Sequence, residues 1–258
     1  MRELRLHSDG LRLEEVDRPV PGEGEVLVRV HAAAITRGEL EWPTDRLPAV
    51  PSYELSGVVA ETGEEVFALT PFDRDGVAAD YALVPAVVLA AKPTRLTHVE
   101  AAALPMGGLS AWQGLFVHGR LQAGERVLIT GASGGVGHLA VQLARHAGAE
   151  VVEEGADLVF DTVGGDVQMR SYEVLKPGGR LVWIAPAPSG FQPPRADVEV
   201  LRPRVARDRA HLERMKELYN AGAVWPPAIT RYPLAEAAEA HRISEGRHLQ
   251  GKLVLIVR

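Results

Sequence analysis

The chain has 258 residues, 46% hydrophobic, 24% charged and 5% aromatic, with 26 Gly, 18 Pro and no Cys; this is a globular composition and excludes general disorder. Lys and Arg number 28 against 34 Asp and Glu, and the net charge of −6 argues against nucleic acid or an anionic membrane as partner. Without Cys there are no disulfides, no thiolate nucleophile and no thiolate-bound metal, and the length allows one large domain or two modest ones.

The amino terminus alternates charged and apolar residues and lacks the apolar core of a signal peptide. No run approaches about 18 uncharged apolar residues, so a cytoplasmic chain that spans no membrane is expected. The first hundred residues then read as β. LRLEEV, EVLVRVHAAAI, LSGVVAE, EVFAL and DYALVPA are short Val-rich runs punctuated by Pro and Gly, the pattern of a small barrel or sandwich.

From His98 the rhythm changes. HVEAAALPMGGLSAWQGLFVHGRL carries apolar residues at helical spacing, RVLIT is a buried-type strand, and VGHLAVQLARHAG is an amphipathic helix closed by Gly148. EVV, DLVFDTV and GGRLVWIA follow as strands, which predicts a parallel sheet of βαβ units. DRAHLERMKELYNAG and LAEAAEAHRISEG are further helices, and KLVLIV is a terminal strand. APAPSGFQPPR reads as an irregular loop.

The strongest chemical signal is RVLITGASGGVGHLAVQLARHAGAEVVEE, a strand running into a glycine turn that opens a helix. Glycine at Gly134 and Gly135 lets the backbone approach a pyrophosphate, Gly137 permits close helix packing, and the helix amino terminus offers N–H groups to phosphate, so Ser133–Gly137, Val136 included, is a candidate dinucleotide cradle. The first Gly of the fingerprint is Ala132 here. Glu153 stands where the ribose-binding acid of that fingerprint belongs; it either bonds a ribose 2′-hydroxyl, which favours NADH over NADPH, or is a solvated Glu in a tight turn. Thr162, Val163 and Gly164 of DTVGG, and Ala185 and Pro186 after WIA, follow strand carboxyl ends, where a doubly wound sheet places its ligand.

GEVLVRVHAAAIT, YELSGVVAE, AALPMGGLSAWQGL, GERVLITGASGGVGHLAVQLAR, LVFDTVGGD, LKPGGRLVWIA and GKLVLIV, in this order, resemble the medium-chain dehydrogenase/reductases, in their zinc-independent quinone-oxidoreductase-like branch. The resemblance implies an α/β chain: a GroES-like β-barrel domain from residues 1–105 and 223–258, a Rossmann-type doubly wound sheet from 106–222, and an active site in the cleft. It also puts Ser110 at the family's Thr position near the nicotinamide, although Ser110 also suits a helix N-cap, and it sets Thr36, Glu39 and Trp42 beside the substrate pocket, Trp42 alternatively being a barrel-rim residue. Tyr53 stands where zinc-dependent relatives have a His before the Glu; it either donates a phenolic proton to a developing enolate or closes the barrel. With Tyr there, no Cys, and nine His scattered from His31, His98 and His118 to His241 and His248, no catalytic zinc is expected.

One departure from the family pattern stands out. AEVV is followed at once by EEGADLVFDTVGG, so roughly forty residues of the Rossmann-type domain are missing, where a βα crossover needs at least a dozen. The sheet is expected to lose its outer strand and the cofactor its adenosine platform. Two functions follow: an NADH- or NADPH-dependent reductase of an activated C=C, enone or quinone, in a small hydrophobic metabolite, or a cofactor-independent cyclase, isomerase or dehydratase reusing the cleft. The edge strand ADVEVL predicts a homodimer.

Overall fold

The alternating, Pro- and Gly-punctuated first hundred residues fold as β1 (Arg2–His7), β2 (Gly10–Glu15), β3 (Glu25–Ile35), β4 (Glu54–Val59), β5 (Glu65–Leu69), β6 (Tyr81–Pro85) and β7 (Ala90–Ala91). There follow α1 (His98–Ala102), α2 (Pro105–Trp112), β8 (Arg126–Ile129), α3 (Gly135–His146), β9 (Glu150–Val151), β10 (Ala156–Asp161), α4 (Asp166–Val174), β11 (Leu175–Trp183) and β12 (Glu199–Leu201). The chain ends with α5 (Arg209–Ala221), β13 (Ile229–Pro233), α6 (Ala237–Ser244) and β14 (Lys252–Ile256). This computed structural model describes residues 1–42, 45–185, 192–246 and 249–258.

Contacts divide the chain into two units, one of Met1–Met106, Arg207–Gly222 and Pro226–Arg258, the other of Gly107–Ala206 and Ala223–Trp225. In the first unit β3 is the spine of a seven-stranded sheet ordered β13-β14-β3-β4-β5-β7. The amino half of β3 pairs antiparallel with β6 and its last four residues with β14, while β4 runs along its other edge. The β3–β4 register shifts between Val30 and Ala32. Gly57 admits this close approach, since a Cβ there would lie 2.3 Å from the Arg29 carbonyl oxygen. Val28, Val30, Leu55, Val84, Leu253 and Leu255 form the core beneath, each worth about 1.5–3 kcal/mol of burial.

In the second unit β12-β11-β10-β8-β9 form a parallel sheet, with the strand DLVFDTV directly beside RVLIT. The outer strand is reduced to the two residues of β9, paired with Arg126 and Val127 at the start of β8. The next four residues turn across that end of β8, tied by the Val152 N–H to the Val127 carbonyl and by the Arg126 guanidinium to the Gly155 carbonyl, before β10 begins. A chain that climbs only two residues needs no helix to return, which is how the shortened segment closes without a crossover.

Three features differ from the sequence pattern. The helical stretch from His98 is broken: Pro105 has no N–H to continue α1, so it opens α2, and after Trp112 the chain widens into i→i+5 turns over Gln113–His118, with the Gly119 N–H on the Gly114 carbonyl at 2.9 Å. Gly114 is required there because a Cβ would fall 2.3 Å from the Phe160 ring. Helix α5, expected with the parallel sheet, groups with the barrel, where Glu213 accepts the Ala91 N–H and Asn220 the Thr94 N–H. Strands β1, β7 and β13 have no counterpart in the expected elements; the charged–apolar alternation of β1 suits a half-buried strand.

Candidate active site

Two sites emerge, one in each unit. In the barrel unit three adjacent strand ends converge. Glu54 opens β4, Lys252 opens β14, and Thr36 follows β3. Because Ala34 pairs with Glu54, and Ile35 with Leu253, the three side chains meet. The Glu54 carboxylate is fully buried; it accepts from the Lys252 ammonium, from Thr36 Oγ1 at 3.0 Å and from the Met106 N–H of α2 at 2.8 Å. A buried charge with three donors, one of them cationic, meets its desolvation cost locally.

Glu39 lies in the short turn after Thr36, only 1% exposed. Its carboxyl accepts the Thr36 N–H at 3.1 Å and the Ser52 hydroxyl at 3.3 Å, and His241 Nε2 stands 3.7 Å away. Burial pushes the Glu39 carboxyl up to about 8, against the opposing pull of the Thr36 N–H and Lys252 and with help from Glu54. Burial drives His241 down to about 4, so at neutral pH this is a contact between an uncharged acid and an uncharged imidazole rather than an ion pair. Ser52 takes a left-handed φ of 64°, a strained conformation for a non-glycine residue that the Glu39 bond and the adjoining turn hold in place.

Tyr53 follows. Its ring, 1% exposed, packs against half-buried Trp42 and Phe72 with centroids 5.5 and 5.0 Å away, and Trp42 and Phe72 are 4.4 Å apart. The Tyr53 hydroxyl accepts from the Arg46 guanidinium at 3.3 Å, and burial raises the phenol above its ordinary range, so it keeps its proton. Thr36, Glu39, Trp42 and Tyr53 are thus brought together. Glu54, Lys252, His241, Arg46 and Phe72 join them unannounced, because contacts spanning up to 216 residues, such as Lys252 to Thr36, leave no local signature.

In the second unit the ends of β8 and β10 are stitched side by side. The fully buried Asp161 carboxylate accepts Thr130 Oγ1 at 2.5 Å, the Val163 N–H at 3.0 Å and the Gly164 N–H at 3.1 Å, while Thr162 Oγ1 donates to the Thr130 carbonyl at 2.8 Å. The turn beside them depends on Gly131, with φ of 66° and room for no Cβ because Thr162 Oγ1 would lie 2.5 Å away. At Gly137 a Cβ would sit 2.2 Å from the Gly131 carbonyl oxygen. Helix α3 begins at Gly135 with no side-chain cap on Gly134, and Ser133 is exposed, so the amino end of the helix opens outward. Ser133, Gly134, Gly135, Val136, Gly137, Thr162, Val163, Gly164 and Ala185 therefore share the carboxyl end of the sheet. The fingerprint's first Gly is Ala132 here, and the left-handed φ of this turn falls on Gly131 before it.

Glu153 belongs to the turn between β9 and β10, just past the Val152 N–H that bonds the Val127 carbonyl, and it is exposed. Ser110 is the sixth residue of α2 and buried, which removes its N-cap alternative. Pro186 and His248 lie outside the described residues. Among the described residues no three His, Asp or Glu side chains group as a metal site, and no helix is long and apolar enough to cross a membrane.

The sequence matches the zinc-binding dehydrogenase family over residues 138–255 and the alcohol dehydrogenase GroES-like domain over residues 22–94. It is 30% identical to a probable zinc-binding oxidoreductase, mitochondrial, from Arthroderma benhamiae, covering 96% of this chain and 93% of that protein. That alignment runs over 312 residues, more than the 258 of this chain, so the relative carries segments missing here. It is 28% identical to an NADPH-dependent alkenal/one oxidoreductase, chloroplastic, of Arabidopsis thaliana, over 96% of this chain and 76% of the relative. Among solved structures, the quinone oxidoreductase of Thermus thermophilus, solved also in complex with NADPH, superposes with a TM-score of 0.84 at 30% identity, covering 100% of both chains.

Proposed function

Since this chain belongs to the medium-chain dehydrogenase/reductase superfamily, in its quinone-oxidoreductase-like branch, and is an oxidoreductase, we propose that it reduces the activated C=C of an enone- or quinone-type acceptor with a nicotinamide dinucleotide and without zinc. The observation that carries this reading is the turn from Gly131 to Gly137, where two glycines pack too closely for any Cβ and the helix end beside the Asp161-stitched loop carries no side-chain cap. Ser133 and the first N–H groups of α3 would hold the pyrophosphate, and Thr162–Gly164 would border the nicotinamide half. When bound, the dinucleotide supplies the hydride for the β-carbon of the acceptor while a proton goes to the α-carbon, so the C=C is reduced as the nicotinamide is oxidised.

In the barrel unit, protonated Tyr53, with Arg46 fixing its oxygen, is the donor toward a developing enolate, and Trp42 and Phe72 offer the apolar walls for the acceptor. Zinc does not suit this donor set: the phenol holds its proton beside a guanidinium, and Glu54 is taken by the Lys252 ammonium. NADPH, named by two relatives, is the cofactor to test first, with NADH, which a ribose contact from Glu153 would favour, beside it. Strand β12 has one neighbour in its sheet, and we read its other edge as the pairing surface of a homodimer.

Thermal unfolding with increasing NADPH and NADH tests the reading. A dinucleotide at a hundred times its dissociation constant stabilises by about 2.7 kcal/mol. No shift with either at millimolar concentration would remove the redox assignment and leave the cofactor-independent cyclase, isomerase or dehydratase, the reading that the two-residue β9 favours.

A further inference from the structure

Among the described residues only Ser52 and Arg120 carry a side chain on a left-handed backbone, with φ of 64° and 53°; every other such position is a glycine. Arg120 is exposed, whereas Ser52 is fully buried between Pro51 and Tyr53. A glycine adopts this conformation without the steric cost that a Cβ brings, as Gly38 does one residue before Glu39. A serine that bears the cost inside a core therefore supplies something that glycine lacks, and what it has is a hydroxyl.

That hydroxyl donates to the Glu39 carboxyl at 3.3 Å, and the same carboxyl is anchored by the Thr36 N–H at 3.1 Å. The main chain around Ser52 is gripped as well. The Ser52 carbonyl accepts the Val77 N–H at 2.7 Å, the Pro51 carbonyl the Ala78 N–H at 3.2 Å, and the Tyr53 carbonyl the Thr70 N–H at 2.7 Å. Gly76 passes so close that a Cβ there would lie 2.1 Å from the Ser52 carbonyl oxygen. These bonds fix the path of residues 51–53, and the hydroxyl adds a side-chain tie at the residue whose φ is least favourable. Tyr53 comes next, so rotation at Ser52 swings its ring. The phenol must stay 3.3 Å from Arg46 Nη2 with its ring against Trp42 and Phe72. A reacting group displaced by about 1 Å can cost about a hundredfold in rate.

We propose that Ser52 is a positioning residue: held left-handed by its bond to Glu39, it aims the Tyr53 phenol for proton transfer. The inference deepens the proposed function and rests on the donor role of Tyr53. It makes Glu39 the anchor of that aim.

Ser52→Gly and Ser52→Ala separate aim from stability. Glycine relieves the backbone and drops the hydroxyl; alanine drops the hydroxyl and keeps the strained backbone. Ser52→Gly is expected to unfold at or above the wild-type urea midpoint and Ser52→Ala below it. Both should lower kcat for reduction of 4-phenyl-3-buten-2-one by NADPH about tenfold to a hundredfold, with KM for the enone within about twofold. Were Ser52 there for stability alone, turnover would follow stability; a Ser52→Gly protein as active as wild type overturns the inference. The glycine variant decides even if the alanine variant does not fold.

A second readout needs no turnover. With 3-fluorotyrosine at the five Tyr positions, the Tyr53 resonance is the one lost in Tyr53→Phe. The neighbouring Trp42 and Phe72 rings displace it in the wild type, and it is expected to move in both Ser52 variants; a resonance that stays in place overturns the inference. If Tyr53→Phe turns over like wild type, the donor role falls with that part of the proposed function, while a moved fluorine resonance still upholds the aiming by Ser52.

Discussion

The two units build their sites from different materials. In the barrel unit the working groups are ionisable side chains taken out of water, with Glu39, Glu54, His241 and Lys252 all at most 8% exposed. In the parallel-sheet unit the site is main chain: a glycine turn, a helix end and a loop folded by one carboxylate, Asp161. The first should respond to changes of charge and pH, the second to added volume and almost not at all to protons. A hydride-transferring enzyme needs both kinds, because a dinucleotide is gripped by N–H groups and close approach, whereas a developing enolate needs a placed proton and an oriented field.

Three experiments break or sharpen that contrast, beginning with the largest effect. Lys252→Met strands the buried Glu54 carboxylate with only Thr36 and Met106 as donors and is expected to cost about 3–5 kcal/mol in urea unfolding. A loss below about 1 kcal/mol, the range of an exposed pair, would mean that the two charges are not buried as described. Next, Gly137→Ala forces a methyl against the Gly131 carbonyl and should cost about 1–3 kcal/mol while weakening dinucleotide binding. That cost should be the same at pH 6 and pH 8, since the atoms the methyl would meet are main-chain atoms of Gly131 and Ala132; a pH-dependent cost would contradict the division between the units.

The smallest effect is a slope. Glu39, raised in the fold from 4.5 to about 8, favours the folded state fully at acid pH and less and less as pH climbs through that window. His241, lowered from 6.5 to about 4, acts in the opposite sense, its contribution being complete above 6.5 and lost as pH falls toward 4; His98, also lowered to about 4 by burial and by His31, adds to that acid loss. The Glu39 and His241 slopes cancel between 4.5 and 6.5, so Glu39 alone governs from 6.5 to 8. Stability should decline there by up to about 1.4 kcal/mol per pH unit. Glu39→Gln should flatten this limb and, by removing the opposing slope, steepen the loss of stability as pH falls from 6.5 to 4.5; an unchanged alkaline slope would show that Glu39 ionises freely.

Much of the parallel-sheet site was legible in the sequence because its determinants are local. A glycine that must take positive φ, a helix that follows at once, and a strand ending in DTVGG are all readable within a few dozen residues, and β3, β5, α3 and α5 follow their patterns closely. Even the shortened outer strand could be foreseen from the distance between AEVV and DLVF.

The barrel site was half legible. Thr36, Glu39, Trp42 and Tyr53 stand out in the sequence, but as separate residues rather than an arrangement. That Glu54 is held by a lysine 198 residues away, that Glu39 faces His241, and that Arg207 lies on Phe72 depend on which strands neighbour β3 and on the path of the chain before α5.

By itself the amino-acid order determined most of the strands, the glycine turn with the helix it opens, and the absence of thiol chemistry, since these follow from dihedral freedom, periodicity and composition. Tertiary structure alone decided which acids are charged and which cations face the rings. Ionisation and electrostatic field depend on burial and on neighbours that only folding brings within a few ångströms.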